Sequence, residues 1–203
     1  ARLPHRITTA GHGAVWEMGG ADFARLLPGD AGDALARAGG AGSRFWMALF
    51  FDDRVALENT YSVMTSTITR GAAHARLDQR QLTGGLRYTP KALASLDHAF
   101  HLYGRAGYGW LWLRARDVPG ATTVDEQRDG HLPALLPSES WWPNTVYAGA
   151  GMEAFAPPRL WLLGKLGYGL RLESSRYYYS LNGSDGRVRT QRSDVAVSLI
   201  FGW

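Results

Sequence analysis

The last nine residues, VAVSLIFGW, constrain the chain most. In an extended strand Val195, Val197, Leu199, Phe201 and Trp203 share one face, and Asp194, Ala196, Ser198, Ile200 and Gly202 share the other, because successive strand side chains point to opposite sides. One face is wholly apolar and needs an apolar medium. A soluble sheet supplies it as a core, a membrane barrel as lipid.

No segment can cross a bilayer as a helix. The longest apolar run is FWMALFF, Phe45 to Phe51, far below the ~20 residues required. A membrane strand needs only about 9–11 residues and shows as alternation. Alternation recurs. In FHLYGRAGYGWLWLR, Phe100, Leu102, Gly104, Ala106, Tyr108, Trp110 and Trp112 share a face. In LWLLGKLGYGLRLE, Leu160, Leu162, Gly164, Leu166, Tyr168, Leu170 and Leu172 do the same, opposite Lys165, Arg171 and Glu173. GLRYTP and GMEAFAPP end at Pro90 and Pro157, where ladder pairing stops. The two halves repeat a strand–turn–strand plan with GYG in the second strand, which reads as a repeated hairpin.

Strands are predicted over 6–18, 44–52, 54–69, 74–89, 97–115, 144–156, 159–176 and 187–203, about eight in all. Short turns are expected at 52–54, 89–97 and 156–159. Longer connections are expected at 18–44, 115–144 and 176–187, with 69–74 an intermediate case. That alternation fits tight periplasmic turns and long outer loops, with both termini periplasmic. Loop 18–44 is expected to hold short helical pieces around Asp22–Leu27 and Gly32–Ala38, broken at Pro28 and Gly29. The 203 residues fit one domain, 1–203. The chain opens ARLPHRITTA without a basic-then-apolar leader, so a signal peptide is expected to have been removed.

The face opposite the apolar one carries Glu58, Arg87, Arg105, Glu153, Lys165, Arg171 and Glu173. In a soluble lipocalin-like barrel these charges would be solvated surface. Two features favour the inverse arrangement. The apolar faces run longer than half-buried soluble strands, typically about 5–6 residues. Tyr88, Trp110, Trp112, Trp141, Trp142 and Trp203 gather toward strand ends, as aromatic belts do at membrane interfaces. The expected fold is all-β: a membrane-spanning, antiparallel, up-and-down β-barrel.

VAVSLIFGW resembles the C-terminal strand signal of bacterial outer-membrane β-barrel proteins, and GLRYTP and the GYG strands resemble the small OmpA/OmpX-like barrels. The resemblance implies an outer-membrane location. It also implies that Val195, Val197, Leu199, Phe201 and Trp203 are read by the barrel-assembly machinery. It does not imply an activity.

An eight-stranded barrel is just wide enough for its own side chains. Charges removed from water must pair or cost several kcal/mol each. The seven inward charges are therefore expected to form an ion-pair network filling the lumen, with a narrow gated path or a polar ligand site as the alternative. The excess of Lys and Arg, 22 against 18 Asp and Glu, is scattered. That argues against nucleic acid and suits anionic head groups or lipopolysaccharide phosphates. With no cysteine, disulfides and thiolate metal sites are excluded, and neither cofactor nor metal is expected. None of the six histidines has the His-x-Ser spacing of lipid A deacylases. Catalysis is not expected; the trio to watch is His12, Glu58 and Ser62, provided all face inward. Loop 115–144, with Trp141 and Trp142, and loop 176–187, with Tyr177, Tyr178 and Tyr179, carry residue types common at interfaces. They are read as an outer aromatic girdle, a binding surface, or both.

The expected role is non-enzymatic: an envelope structural, adhesive or accessory protein that contacts a protein partner through its loops or wall. The alternatives are a barrel passing or binding a small or hydrophobic solute, a lipid A-modifying enzyme, and a soluble lipocalin-like binder.

Overall fold

The computed structural model describes residues 8–19, 35–37, 39–52, 54–70, 73–90, 100–117, 144–156, 160, 166–183 and 186–202. Nearly all of them lie in antiparallel strands: β1 (Thr8–Gly19), β2 (Leu35–Arg37), β3 (Ala41–Phe50), β4 (Val55–Arg70), β5 (Ala73–Tyr88), β6 (Phe100–Asp117), β7 (Asn144–Phe155), β8 (Gly167–Gly183) and β9 (Gly186–Gly202). Apart from β2 the ring follows chain order, β1-β3-β4-β5-β6-β7-β8-β9, and β9 closes on β1. Eight strands thus form a barrel without an open edge, the condition for placing a sheet in hydrocarbon.

The register spirals. Stepping across the ladders from Tyr88 leads through Gly104, Ala150, Ser174, Val195, Trp16, Ala41 and Thr65 to Asp78. One circuit therefore climbs ten residues of β5 (88 − 78 = 10). With eight strands about 4.8 Å apart and a rise of about 3.3 Å per residue, the strands tilt by about 40°.

Faces follow parity. On β9, Leu199 is 59% exposed and its neighbour Ile200 is fully buried. Val197 and Phe201 point outward with Leu199, while Asp194, Ala196 and Ser198 point into the bore. The same split puts Phe45, Met47 and Leu49 outside and Arg44, Trp46 and Ala48 inside on β3. The apolar faces turn outward, so the soluble lipocalin-like arrangement does not hold.

Three expectations about elements need correction. First, the strand expected at 159–176 begins at Gly167. Strand β7 ends at Phe155, and its last contact is Ala156 N–H to the Tyr168 carbonyl at 2.8 Å. Pro157 and Pro158 follow and cannot donate to a continued ladder. Leu160 is exposed outside any strand. Second, 176–187 is not a long loop. Strands β8 and β9 continue to Gly183 and Gly186, leaving two residues between them. Connection 69–74 likewise shortens to residues 71–72, and 89–99 and 156–166 are longer than expected. Third, Leu35–Arg37, within the segment expected to be helical, is a strand. β4 pairs with β3 only as far as Thr65, and β2 occupies the edge left beyond it, from Ile68 to Arg70. Asp22–Leu27 lies outside the described residues.

One end of the barrel carries the start of β1, the end of β9 and the turn between β3 and β4; at the other, β1 ends, β3 begins, β6 ends and β7 begins. They are called here the turn end and the loop end.

Candidate functional site: the charged bore

Inward positions on all eight ring strands meet on the axis. Their arginines and acids are buried: Arg44, Arg87, Arg105, Arg171 and Arg192 against Glu17, Glu58, Glu153, Glu173 and Asp194. Five cations face five anions among the described residues, so these side chains add no net charge to the bore.

Toward the turn end, Arg87 on β5 grips Glu153 on β7 with two bonds of 2.6 Å. Its guanidinium lies over the Tyr103 ring, 3.9 Å from the centroid. Glu58 on β4 is the next node. It accepts from Arg171 at 2.7 and 2.9 Å and from Arg105 at 2.7 Å. Glu173 on β8 receives Arg44 at 2.8 Å, Arg105 at 2.5 Å, the Tyr103 hydroxyl at 3.0 Å and a close contact from Arg171. Arg44 then reaches Asp194 on β9 at 2.7 Å. Arg192 donates to Gln79 and Gln81 and lies 3.4 Å from Asp194. Arg171 stacks on Trp46 at 3.9 Å. Each guanidinium therefore has carboxylate, amide, hydroxyl or ring partners, as buried charges require.

Glycine makes room for these side chains. A Cβ at Gly11 would sit 2.7 Å from the Trp46 ring nitrogen, and one at Gly85 would sit 2.7 Å from the Tyr147 hydroxyl. At Gly151 it would overlap the Tyr103 hydroxyl. These three glycines face the inward side chains of Trp46, Tyr147 and Tyr103.

Of the seven expected charges, Glu58, Arg87, Arg105, Glu153, Arg171 and Glu173 converge in this network, while Lys165 lies outside the described residues. Arg44, Arg192, Asp194 and Glu17 were missed. The parity of Phe45, Met47 and Leu49 already assigns Arg44 to the other face, and that of Val195 and Val197 assigns Asp194 and Arg192. Tyr177 and Tyr179 correct the girdle expectation. They lie on β8, are 1% and 2% exposed, stack with a centroid distance of 6.4 Å, and face the bore. Tyr178 between them is outward, as are Tyr88 and Trp110; Trp112 is half-buried, and Trp141, Trp142 and Trp203 lie outside the described residues. The trio of His12, Glu58 and Ser62 is not assembled: Glu58 and Ser62 are inside the barrel, while His12 is exposed on its outer wall.

A closed antiparallel ring, apolar outside and filled with paired charges, defines a membrane-spanning β-barrel of the small outer-membrane type. No family model matches the chain, and no curated protein matches its sequence. Among solved structures it is similar in fold to the outer membrane protein OprG from Pseudomonas aeruginosa, with 16% identity over 96% of this chain and 93% of that one and a TM-score of 0.54. Ail, the attachment invasion locus protein of Yersinia pestis, solved with the heparin analogue sucrose octasulfate, aligns at 10% identity over 98% of this chain and 99% of its own, with a TM-score of 0.49. The N-terminal β-barrel domain of Pseudomonas aeruginosa OprF aligns at 11% identity over 97% and 99%, with a TM-score of 0.41.

Proposed function

We propose that this chain is a non-enzymatic protein of the bacterial outer membrane, with a structural, adhesive or accessory role performed by its wall and loop end. The plugged bore carries this reading. Ions could pass only if Glu58 or Glu173 released several guanidinium groups at once, each held at hydrogen-bond distance and each costly to leave unpaired.

Lipopolysaccharide is the proposed lipid partner. Arg76, Arg80 and Arg189 are exposed on the outer surface, toward the loop end of the outward Tyr61, Tyr108, Trp110 and Tyr178, and Asp78 is the one acid beside them among the described residues. Cations above an aromatic belt suit lipid phosphates. During biogenesis the last strand is proposed to engage the barrel-assembly machinery.

Membrane fractionation, heat modifiability on unboiled gels and planar-bilayer recording test the reading together. The expected result is a heat-modifiable outer-membrane protein without single-channel steps, with less of the folded form when Phe201–Trp203 is removed. Regular steps from well-folded protein would overturn it in favour of solute passage, and a soluble protein indifferent to the truncation would overturn the membrane assignment.

A further inference from the structure

The outer wall is not uniformly apolar. His12 on β1 and Asn59 on β4 are both exposed on it, flanking β3. His12 stands across from Leu199 on one side and Phe45 on the other, and Asn59 stands across from Met47 and Gly84. Neither makes a hydrogen bond to the described residues. Hydrocarbon offers no partner, and a polar side chain left unpaired there is unfavourable.

The two lie at the same depth. The ladder from His12 runs through Phe45 to Tyr61. Two strand steps in that direction climb toward the loop end by about 6 Å at a tilt of about 40°. Asn59 is two residues back toward the turn end, a descent of about 5 Å. The imidazole and the carboxamide thus sit at matching heights on either side of β3, whose outward Phe45 and Met47 are 50% and 45% exposed.

We propose that this β1–β3–β4 wall is a self-association face. Two copies meet side by side about a twofold axis along the bilayer normal, passing Phe45 and Met47, so that His12 of each copy bonds Asn59 of the other. Matching depth on opposite sides of one strand is the geometry an isologous contact requires, since one pair is then satisfied twice. A different partner would have to supply a separate group for each residue. The inference rests on the membrane-barrel reading.

The chain has no cysteine, so single cysteines report cleanly. Phe45→Cys and Met47→Cys, oxidised in isolated outer membranes, are expected to give disulfide-linked dimers; Leu172→Cys on the far wall is not. Adding His12→Leu and Asn59→Leu is expected to lower the cross-linked fraction several-fold while the monomer stays heat-modifiable. The proposal is overturned if heat-modifiable protein fails to cross-link at β3 or cross-links equally at Leu172→Cys. Capture of another protein at β3, or undiminished dimer in the leucine variant, also overturns it. Protein that is soluble or not heat-modifiable would instead show that the membrane reading itself is wrong.

Discussion

Arg87 and Glu153 hold each other at two points, Nη1 to Oε1 and Nη2 to Oε2, both at 2.6 Å, with strand β6 lying between their own strands. Both side chains are buried. Removing one partner leaves a charge with reduced compensation. Arg87→Leu and Glu153→Leu are each expected to cost about 3–5 kcal/mol, and the double variant to recover most of that loss. Denaturant unfolding in lipid vesicles, followed by the heat-modifiable band, measures it. Additive losses in the double variant would show that the neighbours Glu58 and Arg171 matter more than the pair.

The outward parity of β9 makes a second prediction. Leu199→Arg places a charge on the lipid face and is expected to cost about 2–4 kcal/mol, with a smaller loss for Phe201→Arg nearer the turn end. Equal, negligible losses at both positions would be incompatible with lipid around this strand.

Gly151 tests the fit between glycine and ring. A methyl group there overlaps the Tyr103 hydroxyl and comes within 2.8 Å of the Leu172 carbonyl. Gly151→Ala is expected to cost about 1–3 kcal/mol by overpacking. The cost of Gly151→Ala should be smaller in a Tyr103→Leu background, which removes both the hydroxyl and the ring carbon 2.5 Å from the added methyl group. No rescue would locate the strain in the β7–β8 backbone alone.

Asp52 shapes the turn between β3 and β4. One oxygen of its carboxylate accepts the backbone N–H groups of Arg54 and Val55, both at 2.7 Å, and these bonds hold its pKa below the ordinary value. A lowered carboxyl pKa stabilises the folded state above the unfolded-state pKa, and the effect fades as pH falls through the folded-state value. The stability difference between the wild type and Asp52→Ala should therefore be constant near neutrality and close up only in acid. A difference that grew on acidification would contradict the assigned bonds.

The parity of the strands was legible because lipid and bore select opposite residue types. Six members of the charged network could be named from Glu58 to Glu173 on that ground alone. Strand limits were harder to read. Nothing within LWLLGKLGYG itself places Leu160 outside the strand, since Pro157 and Pro158, which cannot donate to a ladder, lie upstream of it just after β7. Tyr177 and Tyr179 were misplaced for a related reason. Three successive tyrosines suit either face, and only the pairing of Tyr177 with Arg192 and of Tyr179 with Thr190 extends β8 past residue 176. Arg44 stood at the edge of its expected strand, where alternation had not yet built a pattern.

The bond from Arg44 to Asp194 spans 150 positions of the chain, and the ring closes only when β9 reaches β1. A sheet that stopped short of its last strand would leave Arg44 without that carboxylate and the edge of β1 without a neighbour. Completion is thus checked twice, by the backbone at the seam and by electrostatics on the axis. The plug that blocks the bore also acts as a latch, engaging its final tooth only after every stave of the barrel is in place.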